Sequence, residues 1–299
     1  MIRLTKDFLR GSYPPLVTPF RGDRIDEDTY ASLVEHQVRE GSHGIVVNGT
    51  TAEPSLLAVA ERKRLAEVAI RAAARRLPVV VATGSQSHAE TVELTEHAAA
   101  AGADALLIVT PYYVRPPQRG LVEYFVDLAA RTPLPLLLYN IPGRTAVALT
   151  VETLGAIAER APTFVGIKHA AEDLGLVSQT LERFGPEFRL MVGLEELSLP
   201  MLSLGAAGMI NAVGNLAPRR VAALYRAVAD GNLAEARRLH FDLLELNRAV
   251  FFDTNPIPMK YMMKRIGLLP ENSHRLPMMS ATPELEARLD RVLERARLL

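Results

Sequence analysis

Between Tyr13 and about Gly231, short apolar runs alternate with longer stretches of helical spacing, and the alternation occurs eight times. No other feature constrains the fold as tightly, because a helix inserted after each strand returns the chain to the same edge and makes successive strands parallel. The runs predicted as strands are Pro15–Val17, Gly44–Val47, Val79–Ala82, Ala105–Val109, Leu136–Tyr139, Phe164–Lys168, Arg189–Val192 and Gly208–Ala212. Most are β-branched or leucine-rich without polar alternation, as strands covered on both faces should be.

The intervening helices carry their own punctuation. Tyr30, Leu33, Val34 and Val38 recur at helical spacing before Gly41, which suits a C-terminal cap. Ser87 and Glu90 form a capping box, and Val151, Leu154, Ile157 and Ala158 make an inward stripe. Pro218 stands where a first helical turn needs no N–H.

Eight units in about 220 residues match a closed α/β fold, the (β/α)8 TIM barrel. An open doubly wound sheet would place a glycine-rich turn after its first strand, where this chain has Thr18-Pro-Phe-Arg-Gly-Asp. Residues 1–231 are therefore expected to form the barrel, and residues 232–299 a three-helix C-terminal extension over Leu233–Phe252, Pro256–Ile266 and Pro283–Ala296.

Composition narrows the partner. The 34 Lys+Arg and 34 Asp+Glu residues balance, which gives no electrostatic footprint for nucleic acid or for an anionic membrane. A small molecule is favoured. The absence of cysteine excludes disulfides, zinc thiolates and a cysteine nucleophile. With no apolar leader at Met1–Phe8, the chain is expected to be cytoplasmic.

The cations are almost all arginine: there are five lysines, Lys6, Lys63, Lys168, Lys260 and Lys264. A lysine ending an apolar run is usually a surface residue. Here, however, one of so few lysines terminates Phe164-Val-Gly-Ile, and a lysine amine can be desolvated and deprotonated where a guanidinium cannot. Lys168 is thus the candidate for an imine with a carbonyl substrate.

Barrel sites lie at the C-terminal ends of the strands, so each strand can be asked what it delivers there. The second ends in Asn48-Gly-Thr-Thr-Ala-Glu53, the fourth in Thr110-Pro-Tyr-Tyr113 and the fifth in Tyr139-Asn-Ile-Pro-Gly-Arg-Thr145. Gly-Thr-Thr can cap a helix or bind a carboxylate. Tyr139 can be a core aromatic or a proton carrier, and Glu53 reads as a loop brace.

These stretches, with Gly166-Ile-Lys168, Gly205-Ala-Ala-Gly-Met-Ile-Asn211 and Asn255-Pro-Ile-Pro-Met-Lys260, resemble the dihydrodipicolinate synthase / N-acetylneuraminate lyase family. The likeness runs in order from about Tyr13 to Lys260. It implies a homotetramer of metal-free, cofactor-free, pyruvate-dependent lyases in which Lys168 forms the imine. Thr50 and Thr51 would hold the 2-oxo acid carboxylate, and Tyr139 would move protons with Thr51 and with Tyr113, the last reaching into a neighbouring subunit.

Gly193, Glu195 and Ile210 would line the substrate pocket. Arg144 matches the position at which the synthases bind the carboxylate of aspartate semialdehyde, and so favours 4-hydroxy-tetrahydrodipicolinate synthesis. The alternative is an aldolase or dehydratase of hydroxylated 2-oxo acids. Glu195 and Glu196 fall where the neuraminate lyases bind sugar hydroxyls, and would serve that reading. Val59, Arg62 and Gln86 depart from the residues that hold inhibitory lysine in sensitive relatives, whereas Tyr112 and Glu90 are kept. Lysine inhibition is therefore expected to be weak or absent.

Overall fold

The computed structural model describes every residue, Met1–Leu299. Eight parallel strands form its centre: β1 (Gly11–Ser12), β2 (Ile45–Val47), β3 (Val79–Ala82), β4 (Ala105–Val109), β5 (Leu136–Asn140), β6 (Phe164–His169), β7 (Arg189–Val192) and β8 (Gly208–Met209). From β2 to β8 each strand pairs with the next in sequence, and β8 returns to β1 through Gly208↔Gly11 and Met209↔Ser12. The last seam is closed by a bridge, Pro15↔Val46, with Leu16 N–H on the Val46 carbonyl and Val46 N–H on that of Pro14, both at 3.0 Å. The ring is complete, and the barrel read from the sequence is the fold observed.

Two strand expectations shift by more than one residue. The first strand was expected at Pro15–Val17, but regular pairing lies earlier, at Gly11–Ser12. Pro14 and Pro15 have no N–H to give to a ladder, so only isolated bonds continue beyond them. The eighth was expected to reach Ala212 but ends at Met209. There the Ala212 N–H is taken by the Glu195 carboxylate at 2.5 Å, and the chain turns.

Eight helices follow the strands: α1 (Glu27–Arg39), α2 (Val59–Ala73), α3 (His88–Ala101), α4 (Gln118–Ala130), α5 (Val151–Arg160), α6 (Leu174–Phe184), α7 (Ser198–Ser203) and α8 (Pro218–Ala229). Gly41, with φ +76°, ends α1 as the sequence suggested, and Pro218 opens α8. The capping box at Ser87 is only half formed. Ser87 Oγ accepts from Glu90 N–H at 3.3 Å, but the Glu90 carboxylate accepts instead from Ser85 Oγ at 2.7 Å.

Apolar burial is layered. Val46, Val80, Leu107, Leu137 and Met191 fill the barrel, while a larger cluster lies between strands and helices. Each such side chain contributes about 1.5–3 kcal/mol. At the N-terminal end of the strands, fully buried Arg189 donates to the carbonyls of Phe8 at 2.9 Å, Glu187 at 2.7 Å and Thr5 at 3.2 Å, which fastens the N-terminal segment across the barrel. The opposite end is therefore the open one.

The extension forms α9 (Leu233–Ala249), α10 (Ile257–Arg265) and α11 (Pro283–Arg295), each ending one to three residues before the expected boundary. Leu239, Leu243, Leu246 and Val250 of the α9 stripe join the same buried cluster as the barrel helices. No helix is long and apolar enough to cross a membrane.

Candidate active site

Lys168 lies at the end of β6, and its register partner on β5 is Tyr139. Ile167 packs outward into the strand–helix layer, so the alternation of the strand sends Lys168 inward, where it is 4% exposed. Its Nζ stands 4.1 Å from the centre of the Tyr139 ring and has no carboxylate within ion-pair distance. Gly193, following β7, is required by this arrangement, since a Cβ there would lie 2.9 Å from Lys168 Cε.

The Gly-Thr-Thr stretch is one 3-10 turn, Thr50–Ala52, closed by Ala52 N–H on the Gly49 carbonyl at 2.8 Å. Thr18 Oγ1 donates to the Ala52 carbonyl at 2.7 Å and fixes the turn from below. Thr50 Oγ1 faces the Tyr139 hydroxyl at 3.4 Å, and Thr51 Oγ1 accepts from Asn255 Nδ2 at 3.1 Å. Asn255 sits just before α10, so the extension contributes to the site. In the sequence Asn255 belongs to the Asn255-Pro-Ile-Pro-Met-Lys260 stretch, and no local pattern gives it a place at this site.

Lys168, Tyr139, Thr50, Thr51, Glu195 and Ile210 line a pocket of about 50 Å³. Glu195 is 3% exposed. Its Oε1 accepts from Ala212 N–H, while Oε2 has no partner. Burial raises its pKa to about 7, against the lowering effects of that N–H and of Lys168. Glu196 does not accompany it inward but pairs with Arg248 at 2.8 Å on the surface.

Arg144 lines both this pocket and a wider cavity of about 300 Å³, and is exposed without an ion pair. The Tyr113 side chain is 89% exposed on a left-handed backbone, φ +73°, and lines neither space. Within one chain it is not brought to Lys168.

Glu53 is a brace, as the sequence suggested: its Oε1 lies 2.5 Å from Lys260 Nζ and its Oε2 3.1 Å from His274 Nδ1. His169 points away from the pocket, where Asn140 Nδ2 donates to its Nδ1 at 3.1 Å and Asn140 Oδ1 takes Leu149 N–H at 3.0 Å. Burial holds the His169 imidazole below its usual pKa, so it is neutral and serves this clamp. The pocket thus combines an amine without an acid partner, two threonine hydroxyls, a phenol and a buried carboxyl. That set can condense with a carbonyl compound, hold its anionic group on the threonine turn and move protons nearby.

Known proteins share this architecture. The model of the dihydrodipicolinate synthetase family matches residues 8–296. The 4-hydroxy-tetrahydrodipicolinate synthase of Thermus thermophilus is 47% identical over 291 residues, 97% of each chain. The crystal structure of dihydrodipicolinate synthase from Aquifex aeolicus aligns with a TM-score of 0.95 at 37% identity, covering 97% of this chain and 98% of that one. The Cyanidioschyzon merolae enzyme, solved with lysine bound, aligns with a TM-score of 0.95 at 35% identity, covering 98% and 100%.

Proposed function

The chain belongs to the dihydrodipicolinate synthetase family, and on that premise we propose that it condenses pyruvate with L-aspartate semialdehyde to give 4-hydroxy-tetrahydrodipicolinate, a step of lysine biosynthesis. It is a class I, Schiff-base lyase. The observation that carries the reading is Lys168, a buried amine with no carboxylate partner that faces Tyr139 in a small pocket.

Lys168 Nζ adds to C2 of pyruvate and water leaves, giving a protonated imine. The threonine turn holds the carboxylate. Loss of a C3 proton to the imine's electron sink gives an enamine, whose C3 attacks the aldehyde carbon of the second substrate. Tyr139, with Thr51 and with Tyr113 of a second subunit, carries the protons. The substrate's own amine then displaces Lys168 from C2 and closes the ring. No cofactor enters this scheme.

Arg144, exposed and unpaired at the mouth, receives the second carboxylate. The reading for hydroxylated 2-oxo acids is weaker, because Glu196 faces Arg248 rather than the pocket and leaves Glu195 alone. The outward Tyr113 supports a homotetramer in which subunits exchange that side chain, and we place the enzyme in the cytoplasm.

Pyruvate with borohydride should fix a secondary amine on Lys168 and inactivate the protein. Intact mass and peptide mapping read the result; no pyruvate-dependent increment, or one on another lysine, would sink the mechanism.

A further inference from the structure

Ring closure makes a demand that the groups placed so far do not meet. The α-amino group of the second substrate is largely ammonium at neutral pH, and an ammonium has no lone pair with which to attack C2. A base must take its proton inside the pocket. Four titratable side chains line that pocket: Tyr139, Arg144, Lys168 and Glu195. Lys168 is the nitrogen being displaced, a guanidinium accepts no proton, and Tyr139 faces Thr50 at 3.4 Å and serves the substrate oxygen. Glu195 remains.

Its setting suits the task. Glu195 opens the 3-10 turn Glu195–Leu197 after β7, and its carbonyl accepts from Ser198 Oγ of α7 at 2.8 Å and from Asn247 Nδ2 of α9 at 3.3 Å, so two helices pin its backbone. Oε1 is held by Ala212 N–H, whereas Oε2 is buried without a partner. A buried polar atom left unpaired is free to be answered by a ligand. Burial raises the carboxyl to about 7, where it takes up a proton and gives it back readily, and the positive charge of the imine favours the ionised form. We propose that Glu195 is the base of ring closure, taking a proton from the substrate's α-ammonium and delivering one to Lys168 Nζ. This role rests on the condensation proposed above. The amine freed by Glu195 bonds to C2; the carboxyl then gives a proton to Nζ and receives one from the ring nitrogen. The C2–Nζ bond breaks with its electron pair on Nζ, which leaves Lys168 as the free amine, the product as a cyclic iminium and Glu195 protonated until its proton passes to water.

L-Aspartate semialdehyde and succinic semialdehyde, which lacks the amine, separate carbon–carbon bond formation from ring closure. Each is mixed with pyruvate and the intact enzyme, borohydride is added at intervals, and the mass carried by Lys168 is read. With L-aspartate semialdehyde, wild type should carry chiefly the pyruvate increment. Glu195→Gln should instead accumulate the increment of both substrates, while turnover falls at least about 100-fold. With succinic semialdehyde, both enzymes should carry the two-substrate increment, formed at rates within about threefold of each other. Glu195→Ala should repeat this pattern and is the second variant if Glu195→Gln is not recovered folded. The role is overturned if the variant turns over within about threefold of wild type, or if it traps only pyruvate in the presence of L-aspartate semialdehyde. It is overturned equally if the adduct with succinic semialdehyde is lost, because the block then precedes ring closure. A wild type that traps no pyruvate refutes the imine, and one that traps pyruvate but consumes no L-aspartate semialdehyde refutes the second substrate; either result removes the step that Glu195 serves. A wild type that passes both tests beside an unaffected Glu195→Gln refutes Glu195 alone.

Discussion

Lys168 and Lys260 make a controlled comparison within one chain. Both are buried, and both stand over an aromatic ring, Lys168 at 4.1 Å from Tyr139 and Lys260 at 4.3 Å from Phe20. Lys260 is then fully engaged: Glu53 faces it at 2.5 Å, and it donates to the Ser273 carbonyl at 2.9 Å. Lys168 has neither. A structural lysine is one whose charge the fold answers, whereas a reacting lysine is left open for a ligand to answer.

The comparison breaks first at Lys168. Lys168→Met should remove borohydride trapping and reduce turnover by ~10⁴-fold or more, because the nucleophile itself is lost. Its melting temperature should stay level or rise, since an unpaired buried amine has been replaced by an apolar chain. A large fall in stability would put Lys168 in the same class as Lys260.

The opposite pattern is expected at the brace. Lys260→Met leaves Glu53 buried with only His274, which should cost about 3–5 kcal/mol and lower the melting temperature by roughly 10 °C. The double variant Lys260→Met/Glu53→Leu should recover part of that loss, and a double variant no better than the single would show that packing, not charge, dominates. Imine trapping should survive in whatever remains folded.

Glu195 sharpens the contrast, being an acid left unpaired near the open lysine. Its folded pKa of about 7 lies above the ordinary carboxyl value. The folded protein therefore keeps a proton that the unfolded chain has released, and Glu195's contribution to stability is lost as pH rises from about 4.5 to about 7. Glu195→Gln should gain stability relative to wild type over that window, by up to about 3 kcal/mol above it. Denaturant midpoints at several pH values check this, and a constant difference would mean that Glu195 is ionised throughout.

Arg144 extends the comparison to a cation that water, rather than the fold, now answers. Arg144→Ala should spare trapping and lose about 10- to 100-fold in the kinetics of the second substrate, the worth of a charge-assisted carboxylate contact of about 1.5–3 kcal/mol. The smallest effect is expected from free lysine. Val59 offers it no hydrogen bond, and Arg62 opposes its ammonium groups. Half-inhibition below about 1 mM, in rates measured against lysine concentration, would contradict that.

The sequence showed the barrel because each strand and helix is written locally, in runs and caps. It showed Lys168 because five lysines make each position informative. What it could not show were choices between partners. Glu90 matched a capping box, yet Ser85 took its carboxylate. Strand one was drawn through Pro15 because apolar character marks a strand whether or not its N–H groups exist. Glu53 was legible as a brace, but its partners Lys260 and His274 lie more than two hundred positions away and no local pattern names them. Arg62 could be read as a cation; that no acid answers it is visible only in three dimensions.

The hydrogen bond from Asn255 to Thr51 has a consequence for how the enzyme comes into being on the ribosome. The threonine turn is translated early and Lys168 just past the midpoint, but the group that orients Thr51 arrives only in the last sixth of the chain. The β1–β8 pairing likewise waits for Gly208. Nascent chains halted before Asn255 therefore hold the reactive lysine without a finished site around it, and catalysis cannot begin before synthesis is nearly complete.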